Sequence, residues 1–180
     1  MQLATRRTAP RFDDLYQRLR PSLLGLAQRV LGDRGLAEEV VQDAFVKLSG
    51  DPVLDRGDAE VAAWLRRVTV NAALNRARGE RRARARADRA GRLEPGDATE
   101  DSPLTAVLAR EERERIRRAL AGLPERQATV VLLRAEGHSY SEIAAAAECA
   151  IGSVGVLLAR GEKALRAGYM ELLANPGGTT

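Results

Sequence analysis

Residues 61–92, VAAWLRRVTVNAALNRARGERRARARADRAGR, combine an apolar stripe at helical spacing with ten arginines, opposed only by Glu80 and Asp88. Val61, Trp64, Leu65, Val68, Ala72 and Leu74 recur three and four residues apart, as one face of a helix requires. Arg66, Arg67, Arg76, Arg78, Arg81 and Arg82 lie mostly off that face. A chain built around such a segment must bury one side of it and leave the other cationic. Repeated arginine along one helix suits phosphate contact, because each guanidinium that neutralises a phosphate releases a condensed counterion. A solvated helix with an arginine-rich frayed end fits the same charges, and on charge alone both readings stand.

The charge is segregated. The 180-residue chain has a net charge of +4, but residues 61–92 alone carry +8, so the remainder sums to −4. Apolar residues make up 44% and aromatics only 3%, so a core must come from Leu, Val, Ile and Ala, which together with abundant Arg and Glu favours helices. The single cysteine, Cys149, excludes an internal disulfide framework and a multi-cysteine zinc site, and makes a reducing, cytoplasmic setting the default. No apolar run approaches the roughly 18 to 20 residues of a membrane span, and the N-terminus lacks the apolar core of a signal peptide.

In chain order, residues 1–11 are polar and basic and read as disordered. Helical spacing runs from Phe12 to Leu31, with Pro21 acceptable only at a first turn or a kink, and Gly32-Asp33-Arg34-Gly35 breaks it. Residues 36–48 put Leu36, Val40, Val41, Ala44, Phe45 and Leu48 on one face and Glu38, Glu39, Gln42, Asp43 and Lys47 on the other. A loop rich in Gly and Pro, 49–58, leads to the arginine helix. Residues 93–103, LEPGDATEDSP, carry two Pro and four carboxylates with no basic residue. That is linker composition, expected to let flanking domains 12–92 and 104–173 move independently, with 174–180 as a disordered tail.

In the second domain, a helix through Gln127–Glu136 ends at Gly137, followed by Ser139–Ala147, a turn at 148–150 and a final helix from about Gly152 to Leu173. These are the proportions of a helix-turn-helix, although a plain helical hairpin has the same pattern. Ser139 with Glu142 three residues on predicts a capping box.

AEEVVQDAFVKL (37–48), AAWLRRVTVNAALNRARGERR (62–82), LPERQATVVLLRAEGHSYSEIA (123–144) and SVGVLLARGEKALR (153–166) resemble, in order and separation, the bacterial RNA polymerase sigma factors of the extracytoplasmic-function (ECF) type. The resemblance implies an all-α fold of two small helical domains, conventionally region 2 and region 4, joined by a flexible acidic linker, with a helix-turn-helix in the second. It implies a factor that binds core RNA polymerase through the β′ clamp and β subunits and directs promoter recognition and DNA melting, without cofactor, metal or small-molecule substrate. An anti-sigma protein is a further partner left open.

Carried over by position, the family's polymerase-binding element falls on Glu39, Gln42 and Asp43, which share one exposed face and suit a basic partner helix. Asn71 resembles the position beside the pocket for an unstacked −10 base, with Asn75 nearby and Arg76, Arg78, Arg81 and Arg82 holding −10 phosphates; the 51–58 loop borders the extruded base. Trp64 reads as a core anchor. For the −35 element the resemblance implicates Ser139, Ser153, Arg160 and Lys163. Here the chain departs from the family, whose recognition helix presents Thr, Lys, Ser and Arg, whereas this one has Ser153, Gly155, Val156 and Leu157. Arginine is the commonest bidentate reader of guanine, so its absence predicts weaker −35 than −10 discrimination. Val156 and Leu157 suit either a protein partner or internal packing.

An enzyme is not indicated, since the one histidine, His138, reads as solvent-facing with nothing arranged around it, and there is no phosphate-cradling Gly-rich loop. The competing function is a DNA-binding regulator that uses the helix-turn-helix without polymerase.

Overall fold

The structure, a computed structural model, describes residues 3–89 and 104–175; the expected linker, 93–103, and residues 176–180 lie outside the described residues. Every regular element among the described residues is helical: α1 Leu3–Leu31, α2 Arg34–Ser49, a 3-10 turn at Pro52–Asp55, α3 Asp58–Arg89, α4 Leu104–Ala121, α5 Glu125–Ala135, α6 Tyr140–Ala147 and α7 Ile151–Ala174.

Helices α1, α2 and α3 form the first unit. Leu15, Leu23, Leu26 and Val30 of α1 are buried with Val41, Phe45 and Leu48 of α2 and Val61, Leu65 and Leu74 of α3. Each such side chain contributes about 1.5–3 kcal/mol relative to exposure. Phe45 receives two aromatic neighbours from α1, Phe12 edge-on at 5.9 Å and Tyr16 tilted at 4.8 Å between ring centroids. The α1–α2 corner is made by Gly32 in the left-handed region (φ 72°) and by Asp33, whose carboxylate accepts the Leu36 N–H at 2.8 Å as N-cap.

Two sequence expectations change here. Helix α1 starts at Leu3, nine residues before the expected Phe12. It also runs through Pro21 without ending; Pro21 is exposed, so the carbonyl deprived of an N–H partner can turn to water.

In the second unit, α4, α5, α6 and α7 surround Leu120, Leu123, Val130, Leu132, Leu133, Ile143 and Val154. Helix α7 crosses α5 at Gly161, where a Cβ would lie 2.8 Å from Val131 Cγ2 and 3.2 Å from the Gln127 carbonyl oxygen. The Tyr169 hydroxyl donates to Glu112 Oε1 at 2.6 Å and ties α7 to α4.

The independence expected of the two units rests on residues 93–103, which lie outside the described residues; among the described residues the units touch. Helix α3 packs against α4, α5 and α6, α1 touches α4, and the buried residues of both units form one contiguous cluster. The physical reason lies in the charge segregation noted above: the arginine-rich helix meets a glutamate-bearing partner.

Candidate nucleic-acid and polymerase interface

Helix α2 positions Glu39, Gln42 and Asp43 on one exposed stripe, because Val40, Val41, Ala44 and Phe45 between them are buried. Val46 continues the stripe with 69% of its surface exposed, an apolar side chain that the sequence reading left unassigned. Its signal was available: it stands at i+3 from Asp43, off the buried face. Glu39 also meets Arg76 of α3 at 3.5 Å, so the acidic stripe adjoins the arginine helix.

The side chains expected at the −10 element lie along α3. Asn71 is half-buried and Asn75 exposed. Arg76 pairs with Glu80 at 3.4 Å as well as with Glu39. Arg82 is exposed, and Arg81 lines a cleft with Arg118 and Glu171. Arg78 is engaged elsewhere: its Nε donates to the Ala121 carbonyl at 2.8 Å and its Nη2 to the Leu123 carbonyl at 2.6 Å, closing the C-terminal end of α4. In this arrangement it is not available to a phosphate. Trp64 is half-buried and packs against the core.

The loop before α3 is held by a residue the sequence reading placed in a disordered arm. Arg11 donates to the Leu54 carbonyl at 2.8 Å and to the Arg56 carbonyl, and pairs with Asp58 at 3.2 Å. Arg18 and Arg11, hydrogen-bonded to Asp58, hold its carboxyl below the usual range.

The second unit contains the helix-turn-helix. Ser139 caps α6: its hydroxyl receives the Glu142 N–H at 3.4 Å, and Glu142 Oε2 receives the Ser139 N–H at 3.0 Å and its hydroxyl at 2.8 Å. The capping box is therefore present, and it occupies the Ser139 hydroxyl that the −35 assignment would use. The turn passes through Glu148 at φ 49° before α7 begins. Ser153, Arg160 and Lys163 are exposed on α7, as are Gly155 and Val156, whereas Leu157 packs against the core. The two apolar residues thus divide, Leu157 to packing and Val156 to the surface. Cys149 is a half-buried free thiol.

His138 differs from expectation. Its side chain is only 14% exposed, its Nδ1 lies 3.4 Å from Glu142 Oε1, and its Nε2 is buried without a partner.

The Ser139 N–H and hydroxyl, then His138 and Arg66, hold the Glu142 carboxyl down at about 2 against an ordinary 4.5. A depressed carboxylate contributes stability that is complete above its unfolded value and is lost as pH falls through its folded value. Melting temperature should therefore fall between about pH 4.5 and about 2, and Glu142→Gln, which keeps the cap acceptor but cannot titrate, should flatten that limb. An unchanged acid limb in the variant would count against this account of Glu142.

A basic helix beside an exposed acidic stripe, joined to a helix-turn-helix, is the arrangement of a two-part DNA-binding protein. Residues 15–83 match the Sigma-70 region 2 family and residues 113–165 the Sigma-70 region 4 family. The RNA polymerase sigma-H factor of Pseudomonas aeruginosa is 33% identical over 90% of this chain and 88% of its own length. The ECF RNA polymerase sigma-E factor of Escherichia coli K12 is 32% identical over 86% of this chain and 84% of its own. Among solved structures, the sigma factor RpoE in complex with the anti-sigma factor NepR from Bartonella quintana aligns over 87% of this chain and 95% of that one. Its 23% identity and TM-score of 0.46 are too loose to bear on partners or on how the units sit. The chain belongs to the sigma factors of the ECF type. It is a subunit that joins core RNA polymerase and directs promoter recognition and melting.

Proposed function

We infer that the exposed stripe Glu39, Gln42, Asp43 and Val46 docks α2 on core RNA polymerase, and that α3 engages the −10 element. On this reading residues 12–92 act as region 2, 93–103 as the linker and 104–173 as region 4, working in the cytoplasm without catalysis. Arg76, Arg81 and Arg82 hold phosphates, joined by Arg78 once it is released; Asn71, with Asn75 beside it, reads an unpaired base. Ser153, Arg160 and Lys163 of α7 contact the −35 DNA, chiefly its backbone. The stripe itself carries the reading, because three polar residues and a valine at i, i+3, i+4 and i+7 are all exposed, and among the described residues only Glu39 of them has an ion-pair partner, Arg76. A polymerase-independent regulator would have no use for it.

The test is initiation by reconstituted holoenzyme. Arg76→Ala, Arg81→Ala and Arg82→Ala should each weaken promoter engagement on every sequence and lower the salt slope by about 0.7 to 0.9. Asn71→Ala should instead relax one −10 position by about 1–3 kcal/mol with the salt slope unchanged. Randomised promoters should show a sharper −10 than −35 motif; the reverse order would overturn the assignment of specificity to α3.

A further inference from the structure

Helix α7 is the second helix of the helix-turn-helix, and Val154 and Gly161 are its buried residues. With about 3.6 residues per turn, Gly152, Val156, Ala159 and Lys163 project from the opposite side, and all four are exposed. From Ala150 to Ala159 the helix carries no charged side chain. Its cations follow directly, Arg160 and Lys163, both exposed.

The open glycines of this stretch serve nothing inside the fold. A Cβ at Gly152 or at Gly155 would meet no atom within 4 Å, whereas Gly161 on the buried side is needed for the crossing over α5. Glycine weakens a helix relative to alanine, so bare backbone here has a cost whose return lies outside the chain. Val156 stands beside them with 54% of its surface exposed, while its neighbour Leu157 packs against the core. Ile151, also exposed, lies on the flank of the same face. A protein-docking face takes most of its binding from large side chains such as Trp, Tyr and Arg. This one offers glycine, serine, alanine and a short apolar group, which suits a surface that the backbone itself must approach closely.

In the major groove only thymine presents a methyl group, and apolar side chains are what contact it. We propose that Val156 reads the C5-methyl group of a thymine in the −35 element, and that Gly152 and Gly155 let α7 sit deep enough in the groove for so short a side chain to reach it. Arg160 and Lys163, about one and two turns further on, hold the neighbouring phosphates. The inference rests on the reading that α7 meets −35 DNA, and it supplies that contact with a group that reads sequence. A recognition helix without arginine then selects a short, thymine-bearing motif.

The test is promoter affinity of reconstituted holoenzyme on a promoter drawn from the randomised pool. Each −35 thymine, on either strand, is replaced singly by deoxyuridine, which removes the methyl group and nothing else. One position should weaken binding by about three- to fivefold, the loss expected for one buried methyl. Val156→Ala should weaken the thymine promoter as much, and should not respond to deoxyuridine at that position. Val156→Ile and Ile151→Ala should both keep the discrimination. Arg160→Ala and Lys163→Ala should lower affinity for the thymine and deoxyuridine promoters alike and reduce the salt slope. Gly152→Leu should lose the −35 contribution with the melting temperature held, since the chain leaves that space open. A parent that is indifferent to deoxyuridine at every position overturns the methyl reading, as does discrimination that survives Val156→Ala. Val156→Ala that leaves promoter affinity untouched and instead weakens core polymerase binding would make this a protein-docking face. A parent indifferent to scrambling of the whole −35 element would overturn the placing of α7 on that element, which is a different failure from loss of the methyl contact alone.

Discussion

Core RNA polymerase should bind about 10- to 100-fold more weakly when Glu39, Gln42 and Asp43 are replaced together by alanine. The free protein should melt almost as before. All three side chains are exposed, and Glu39 makes only the 3.5 Å pair with half-exposed Arg76, worth about 0.2–1 kcal/mol. Alanine is also a better helix former than any of the three, which offsets that loss. Val46→Asp offers an independent test of the same face. Valine at 69% exposure favours neither the helix nor its solubility, so a charge there should leave stability within about 0.5 kcal/mol and still impair docking. Titration of labelled core enzyme with each variant, alongside thermal melts, separates binding from folding. Undiminished affinity in the triple variant would remove α2 from the polymerase interface.

Much of this arrangement can be read from local pattern. The period of α2, its stop at Gly50 and the Ser139–Glu142 box depend on residues within one or two helical turns, and there the chain order carries the physics. The extension of α1 is less legible, because composition from Met1 to Pro10 argues for disorder whereas Phe12, Tyr16 and Phe45 anchor the helix next to it. Arg11 likewise gains its role from carbonyls 43 and 45 residues away. Docking of the units was hidden for the same reason: Arg66 and Glu142, or Arg78 and the Ala121 carbonyl, are far apart in sequence. A phosphate partner and an intramolecular glutamate partner predict the same arginines, so segregated charge alone does not reveal the docking. Val156 and Leu157 show the limit at the smallest scale. They are adjacent and both apolar, and only the crossing of α7 over its neighbours decides which one is buried.

That crossing sets the remaining expectation. Gly161→Val should destabilise the second unit by on the order of 3 kcal/mol or more, the largest single-residue effect in the helix-turn-helix. A Cβ at 161 would meet Val131 Cγ2 at 2.8 Å, a β-branched methyl with little freedom to move, and the Gln127 carbonyl oxygen at 3.2 Å. Gly161→Ala introduces the same Cβ without the two further methyls of valine and gains about 1 kcal/mol of helix propensity, so its net loss should be smaller. Gly155, on the same helix, is the internal control: a Cβ there meets nothing within 4 Å, and Gly155→Ala should stabilise by about 0.5–1 kcal/mol. Equal melting-temperature gains for Gly155→Ala and Gly161→Ala would refute the close crossing of α5 and α7. The consequence for promoters follows from which unit is damaged. Gly161→Val should lose the contribution of the −35 element to initiation while the α2 stripe, carried by a helix packed on α1 and α3, continues to bind core polymerase.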